Sequence, residues 1–218
     1  NAKKVIIDID EIEHKKPTIN NFLFIKADAY QFLNKFDSSL NEFPTVFKQW
    51  LYHSQQAYKL LPKQEQFSSQ DEISIFDAVK QICLNSGNND VIVSDAGSSY
   101  YVTSMMFSKI KNQRYVTSGA QADMGFGLPA AIGCAFAKKL NKRVHAIIGD
   151  GSFQLNLQEL QTIKHYNLPI SIYILNNNGY LSIRATQKNF FPGRDCGTDS
   201  TNGVSFPELE KIAIAYNL

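Results

Sequence analysis

Short apolar runs alternate with helical patterns through the second half of the chain. Three of these runs are apolar on both faces, which is typical of strands buried inside a parallel sheet; they are VIVSD at 91–95, VHAIIGD at 144–150 and ISIYIL at 170–175. Helices are predicted around and between the runs, at about 74–86, 99–110, 125–139 and 153–165. The alternation predicts an α/β fold: a parallel sheet with helices on both faces.

The two ends of the chain are patterned differently. VIIDIDEIE alternates like a strand near the start, and FPELEKIAIAYNL has the period of an amphipathic helix at the end. Residues 44–70 are rich in Gln and Lys, with little periodicity outside a segment around Trp50 to Leu61, so we predict a linker there. The predicted organisation is a first part at 1–43, the linker at 44–70 and a domain at 71–218. The first strand has no earlier partner and the last helix no closing strand, so we expect further residues at both ends.

Composition narrows the class of protein. The chain has 44% hydrophobic and 19% charged residues and a formal net charge of +2, as globular domains do. Its Lys and Arg residues form no stripe, so nucleic-acid binding is not predicted. No apolar run approaches the ~20 residues that cross a bilayer. With no secretory leader pattern either, we expect no membrane contact and a cytoplasmic location. The cysteines and histidines stand in no disulfide or metal-ligand spacing.

The segment Gly149-Asp150-Gly151-Ser152 carries the clearest chemical signal. It directly follows an apolar strand and directly precedes a predicted helix. Ligands of parallel sheets bind at the carboxyl ends of strands, where the first turn of a helix offers free N–H groups to an anion. The turn is therefore expected to hold phosphate. Asp150 adds a negative charge at the same place, which indicates a cation between the carboxylate and the phosphate.

A second polar segment follows the next strand. ISIYIL ends in Asn176-Asn177-Asn178-Gly179-Tyr180, which lies beside Asp150 if the two strands are parallel neighbours. One carboxylate, one amide, one backbone carbonyl, two diphosphate oxygens and a water would give Mg²⁺ its octahedron. Taken singly, a GDG segment is more often a plain turn, and an NNNG segment more often a loop with left-handed residues.

Together, the two segments resemble the cofactor motif of thiamine diphosphate enzymes, which is GDG, twenty-four intervening residues and then NN. The intervening SFQLNLQELQTIKHYNLPISIYIL resembles the acetolactate synthase branch of that family. SDAGSSYY at 94–101 and TSGAQADMGFGLPAAIG at 117–133 resemble the family's segments at the diphosphate and under the cofactor rings. The resemblance covers about 71–218, and residues 1–43 resemble the end of the family's central domain.

The resemblance implies a role for each matching residue. Asp150 and Asn177 would be the side-chain ligands of Mg²⁺, and Gly179 would supply its carbonyl. The residues expected at the diphosphate are Gly151 and Ser152 on one side and Gly97, Ser98 and Ser99 on the other. Met124 would be the bulky wedge that bends thiamine diphosphate, unless it is simply a core residue. Ala122 would offer its carbonyl to the aminopyrimidine group.

The resemblance also implies an enzyme. It would act on a 2-oxo acid such as pyruvate, with decarboxylation and carboligation as in acetolactate synthase. A simple 2-oxo acid decarboxylase is an alternative, and so is a non-catalytic Mg²⁺-diphosphate-binding module, although the chain has no GxxxxGK[ST] or GxGxxG motif for a nucleotide. Ser98 and Ser99 replace the Gln and His usual in acetolactate synthases, and the tryptophan of their substrate channel is missing, so the substrate stays open.

The family's catalytic glutamate belongs to a separate pyrimidine-binding domain, which no part of this chain resembles. We therefore expect the 218 residues alone to fold but to be inactive. That domain of the full-length protein is the expected partner, within a homodimer or tetramer.

Overall fold

The computed structural model describes residues 3–15, 17, 19–39, 45–60, 73–107, 112–137 and 142–218. Internal contacts divide the chain into two compact units, Asn1–Lys63 and Gln64–Leu218. Among the described residues, no helix is both long enough and apolar enough to cross a membrane.

The first unit contains a small parallel sheet and two helices. Strands β1 (Lys4–Asp8) and β2 (Phe22–Lys26) pair in parallel, and helices α1 (Ala29–Ser39) and α2 (Thr45–Leu60) follow. Helix α2 lies within the predicted linker, 44–70, and includes most of the periodic segment around Trp50 to Leu61. The sixteen residues of this helix contain no Gly or Pro, so nothing in them opposes a helix. The rest of the linker, 61–70, lies outside the described residues, and its role as a domain connection stays a prediction.

The second unit is built on a four-stranded parallel sheet. Its strands are β3 (Val91–Ser94), β4 (Arg114–Thr117), β5 (Val144–Gly149) and β6 (Ile170–Leu175). They lie in the order β4-β3-β5-β6, and every neighbouring pair is parallel. The predicted α/β fold with a parallel sheet is confirmed. Strand β4 was not predicted, because its four residues begin with an exposed arginine and lack a continuous apolar run.

Seven helices accompany this sheet in the described residues; they are α3 (Ile75–Asn85), α4 (Ser98–Met106), α5 (Gly127–Ala137), α6 (Asp150–Leu155), α7 (Glu159–His165), α8 (Leu181–Phe190) and α9 (Leu209–Ala215). The helix predicted at 153–165 starts three residues earlier and is two helices, separated at Asn156. Helix α8 was not predicted, and none of its residues is buried.

Alternate residues of the central strands enter two separate cores, because side chains of a strand point to opposite faces in turn. On one face, Val93 and Ile148 pack with buried residues of α5, α6 and α7. On the other face, Ile92 and Ile147 pack with α3 and α4. Helices therefore cover both faces, as the sequence predicts. The central strands β3 and β5 are buried except at Gly149, whereas β4 and β6 are only partly buried.

The amino-terminal end of the sheet is held by a buried polar chain. Asp90 Oδ2 accepts hydrogen bonds from the Gly87 N–H (2.7 Å) and contacts His145 Nε2 (3.1 Å), while His145 Nδ1 contacts the Tyr173 hydroxyl (3.2 Å). Burial alone would raise the pKa of Asp90, but the hydrogen bonds from His145 and Gly87 outweigh it and hold the pKa below its ordinary value. The carboxylate therefore stabilises the folded state more than its acid form does.

We predict that Asp90→Asn lowers the free energy of unfolding of the 218-residue chain by about 1 kcal/mol at pH 7. Because the folded-state pKa is depressed, the wild-type advantage is fully present above the unfolded pKa of about 4 and declines as the pH falls below it. Urea unfolding followed by circular dichroism from pH 7 to pH 3 measures the difference. Asp195→Asn, at an exposed position, is the control and should change stability by less than about 0.5 kcal/mol. A wild-type advantage that is equal at pH 3 and pH 7 would contradict the assignment.

Candidate functional site

A cleft lies at the carboxyl ends of the neighbouring strands β3 and β5. After β3 the chain turns into α4 on one face of the sheet, and after β5 it turns into α6 on the other face. Opposite turns from adjacent parallel strands leave a crevice between them, and such a switch point is where ligands of open α/β sheets bind. The cleft here has a volume of about 240 Å³.

All of the residues predicted for the site line this one cleft; they are Gly97, Ser98, Ser99, Ala122, Met124, Asp150, Gly151, Ser152, Asn177 and Gly179. They come from four separate stretches of the sequence, one after each of the strands β3, β4, β5 and β6. Parallel pairing of β5 with β6 brings the GDG and NNNG segments side by side. The structure brings these residues together, and their individual roles in binding stay predictions.

Asp150 is the buried acid of the cleft, with 2% of its surface exposed. Its Oδ1 accepts the Gly151 N–H (2.8 Å), and its Oδ2 accepts the N–H groups of Asn177 (3.2 Å) and Gly179 (3.0 Å). The carboxylate therefore ties the loop after β6 to the first turn of α6. A carboxylate has about four acceptor positions, so these three bonds leave room for a cation.

The oxygen donors around Asp150 fit a hard divalent cation. Within the described part of the chain, no group of three or more His, Cys, Asp or Glu residues could hold a metal. The donors are instead one carboxylate, the exposed Asn177 amide and the Gly179 carbonyl, which accepts a single N–H, from Leu181 (3.2 Å). Few protein oxygens, with positions left for water and phosphate, suit Mg²⁺ better than a softer metal.

Gly151 allows a close approach that no other residue would permit. A Cβ atom at this position would lie 2.0 Å from Cε1 of Tyr180, so the tyrosine ring packs directly on the glycine backbone. The ring also meets Phe206 edge to face. Tyr180 thus lines the cleft beside the first turn of α6, where backbone N–H groups lack acceptors within the helix.

The opposite wall is the first turn of α4. Ser98 lines the cleft, while the hydroxyl of the buried Ser99 donates to the carbonyl of Ala96 (2.8 Å). Ser99 is therefore held in place by its own turn, and its backbone N–H is what it can offer to a phosphate.

Met124 and Ala122 lie on the loop between β4 and α5, and this loop is braced at several points. The Ala122 N–H donates to the carbonyl of Ser118 (2.6 Å), with Ala122 at a positive φ of 55°. Asn156, at the break between α6 and α7, donates from its amide to the carbonyl of Gly125 (2.8 Å). Met124 is partly exposed and faces the cleft, which is the position that a wedge under a ligand requires.

Asp95 is the anchor of the same loop. It follows β3, is 2% exposed, and accepts the N–H groups of Ala96 (2.7 Å), Gly125 (3.1 Å) and Gly127 (2.6 Å). Two of these donors lie about thirty residues further along the chain, on either side of the turn that leads from Met124 into α5. Asp95 therefore sets the distance between β3 and the Met124 loop.

Sequence reasoning missed three residues of this site: Asp95, Asn156 and Tyr180. Each lies inside a segment that carried the prediction, namely SDAGSSYY, the residues after GDG and NNNGY. An acid directly after a buried strand was the available signal for Asp95, as it was for Asp150. No local signal marks Asn156, because its acceptor is thirty-one residues away.

These features define an α/β domain with a candidate phosphate-binding cleft at a switch point. The thiamine pyrophosphate enzyme family, through its C-terminal TPP binding domain, matches residues 95–218. The chain belongs to this family, and the predicted resemblance, with thiamine diphosphate as its cofactor, is confirmed.

The chain is also similar to individual proteins along its whole length. It is 31% identical over 226 residues to an acetolactate synthase large subunit of Porphyra purpurea, covering 100% of this chain and 36% of the relative. The corresponding protein of Lactococcus lactis is 29% identical over 218 residues, with 100% and 37% covered. This chain thus spans little more than a third of these relatives.

A solved structure shares the fold. The thiamine diphosphate-dependent 4-hydroxybenzoylformate decarboxylase of Rhodococcus jostii RHA1 superimposes with a TM-score of 0.69 at 20% identity. The match covers 99% of this chain and 38% of that one. At this identity the comparison supports the fold alone.

We predict that Asp95→Ala lowers the free energy of unfolding of the 218-residue chain by about 2–4 kcal/mol, because it leaves buried backbone N–H groups without acceptors. Asp123→Ala is a matched control in the Met124 loop, since among the described residues this exposed carboxylate accepts a hydrogen bond from the Ser118 hydroxyl alone. Its cost should stay below about 1 kcal/mol. Urea unfolding measures both variants. Equal losses of stability in the two variants would show that Asp95 does not hold the Met124 loop in place.

Proposed function

We propose that this chain is the cofactor-binding part of an enzyme that acts on a 2-oxo acid such as pyruvate, by decarboxylation and carboligation as in acetolactate synthase. The observation that carries the proposal is the single cleft lined by all the predicted diphosphate, metal and ring-contacting residues. The similarity to acetolactate synthases over the whole chain supports the choice of reaction.

Different residues of the cleft bind the metal, the diphosphate and the rings of the cofactor. Asp150, Asn177 and Gly179 hold Mg²⁺ at one end of the cleft, and the first turns of α4 and α6 donate N–H groups to the diphosphate from opposite sides. Met124 supports the bent cofactor from the loop that Asp95 anchors. Bound thiamine diphosphate supplies the electron sink that decarboxylation of a 2-oxo acid requires.

The base that starts the chemistry comes from outside this chain in our proposal. The only acid among the described cleft-lining residues is Asp150, and its carboxylate is committed to the metal loop. Exposed apolar side chains of Tyr101, Leu181 and Ile183 border the cleft. They form the surface on which we place the pyrimidine-binding domain with its glutamate, within a cytoplasmic homodimer or tetramer. The isolated 218 residues should release no CO₂ from pyruvate.

A simple 2-oxo acid decarboxylase is the second candidate. The wall formed by Ser98 and Ser99 carries no imidazole or amide side chain with which to orient a second substrate. Product analysis of the full-length protein decides between the two reactions. Pyruvate supplied with and without a second 2-oxo acid should yield a carboligation product, whereas release of the aldehyde alone would favour the decarboxylase. If thiamine diphosphate did not bind, the third alternative, a non-catalytic Mg²⁺-diphosphate-binding module, would be favoured.

We predict that Asp150→Ala in the full-length protein weakens Mg²⁺-dependent thiamine diphosphate binding by more than about 100-fold, because a charged ligand and the tie to the metal loop are lost together. Asn177→Ala should cost roughly tenfold, since only a neutral ligand is lost. Calorimetric titration with Mg²⁺ present measures both. Asp195→Ala is the surface control. Unchanged affinity in Asp150→Ala would show that the metal is not held there.

We predict that Met124→Ala in the full-length protein lowers turnover at least tenfold while changing thiamine diphosphate affinity by less than about threefold, because the diphosphate contacts carry most of the binding. The control is Met105→Ala, on the exposed side of α4 and outside the cleft. Steady-state rates and calorimetry separate the two quantities. Equal losses in rate and affinity, or none in either, would make Met124 an ordinary packing residue.

A further inference from the structure

One side of α8 is docked on a loop that follows it. Tyr180, Arg184 and Gln187 are spaced four and three residues apart, which places them on the same side of the helix. The Tyr180 N–H donates to the carbonyl of Thr198 (2.8 Å). Arg184 Nε lies 3.5 Å from Asp199 Oδ2. The Gln187 amide pairs with both backbone groups of Cys196 (2.9 and 3.1 Å).

We call residues 196–202 the return loop, and this loop is braced by its own hydrogen bonds. Asn202 Oδ1 accepts the N–H groups of Thr198 (2.6 Å) and Asp199 (2.9 Å), and the Gly197 N–H donates to the carbonyl of Asn202 (2.8 Å). Hydrogen bonds from Thr201 to the carboxylate lower the pKa of Asp199, and the charge of Arg184 lowers it further. Thr198 is completely buried. The loop therefore presents a fixed surface to the residues it contacts.

That surface meets Gly179, the predicted carbonyl ligand of the metal. A Cβ atom at Gly179 would lie 2.3 Å from the Thr198 carbonyl oxygen and 2.6 Å from Arg184 Nη2. The glycine has a φ of 155°, outside the range that other residues readily adopt. Its backbone is thus confined between the return loop and the guanidinium on one side and Asp150 on the other.

Arg184 is also unusual in its own bonding. Its Nε and Nη2 atoms are buried and make no hydrogen bond to any residue that the structure describes. The guanidinium is held by the charge of Asp199 and by close packing against Gly179. The side chain as a whole is 36% exposed, so only part of the guanidinium is buried, and its buried Nη2 is the atom that packs against Gly179.

We infer that Arg184, paired with Asp199, is a positioning residue that fixes the Gly179 carbonyl and so sets the affinity of the cleft for a divalent cation. The inference rests on the proposed function, which places Mg²⁺ at Asp150 and Gly179. Mg²⁺ tolerates little departure from octahedral geometry. A carbonyl displaced by a fraction of an ångström is therefore a poorer ligand, even though Arg184 never touches the ion.

The test measures Mn²⁺ affinity by electron paramagnetic resonance in the full-length protein with thiamine diphosphate present. Arg184→Met should weaken Mn²⁺ binding about tenfold or more, the range found when the outer partners of metal ligands are removed. Arg184→Lys should recover part of the loss, because it keeps the charge but not the planar shape. Lys188→Met removes a cation from the exposed side of the same helix and should change affinity by less than about twofold.

Asp199→Asn extends the test to the partner of Arg184. It should weaken Mn²⁺ binding in the same direction, and the double variant should lose less than the two single losses combined, since both act on one contact. This variant also carries the test if Arg184→Met does not fold. Circular dichroism and urea unfolding without metal establish that each variant is folded at the temperature of the titration.

The outcomes are distinct. Variants that are less stable but bind Mn²⁺ as the wild type does would overturn the inference and leave Arg184 a structural residue, with the proposed function intact. A wild-type protein that binds no Mn²⁺ together with thiamine diphosphate would overturn the proposed function and this inference with it. A loss in Lys188→Met as large as that in Arg184→Met would show an effect of net charge and would also overturn the inference.

Discussion

Burying a carboxylate removes its water and costs several kcal/mol unless other donors replace that water. In this chain, backbone N–H groups replace that water at the carboxyl ends of both central strands, β3 and β5. Asp95 follows β3 and Asp150 follows β5, and each is surrounded by three backbone N–H groups. Two of the three donors to each carboxylate lie about thirty residues further along the chain, so satisfying that carboxylate holds a distant loop in place. Asp95 holds the Met124 loop in place, and Asp150 holds the loop after β6. The hydrogen bonds of these two carboxylates therefore position the walls of the cleft.

The strand order decides where those loops meet. Strands β3 and β5 are neighbours, yet their following helices cross opposite faces of the sheet. The first turns of α4 and α6 therefore diverge, and a crevice opens between N–H groups that have no partners inside their helices. Topology supplies the crevice, and the buried carboxylates keep its edges in position.

Much of this arrangement could be predicted from local patterns. The three apolar strands were visible because each is a nearly continuous apolar run, and GDG and NNNG were visible because they stand at the ends of such runs. Strand β4 and helix α8 were not visible, since a short, partly buried edge strand and a helix with no buried residue lack that signature. Asn156 and Arg184 could not be found either. Their roles depend on partners brought near by folding, and no spacing within the sequence encodes such a contact.

The hydrogen bonds of Asp150 also affect the free energy with which a cation would bind in the cleft. The loop from Asn177 to Gly179 is already tied to the carboxylate, and the return loop and Arg184 hold Gly179 from the other side. Ordering a loop during binding would consume part of the binding free energy, and a loop ordered beforehand avoids that cost. The same bonds occupy acceptor positions on Asp150, so a cation must share the carboxylate with backbone N–H groups. In the proposed metal site, affinity would therefore depend on how firmly the loop is held as well as on the charged ligand.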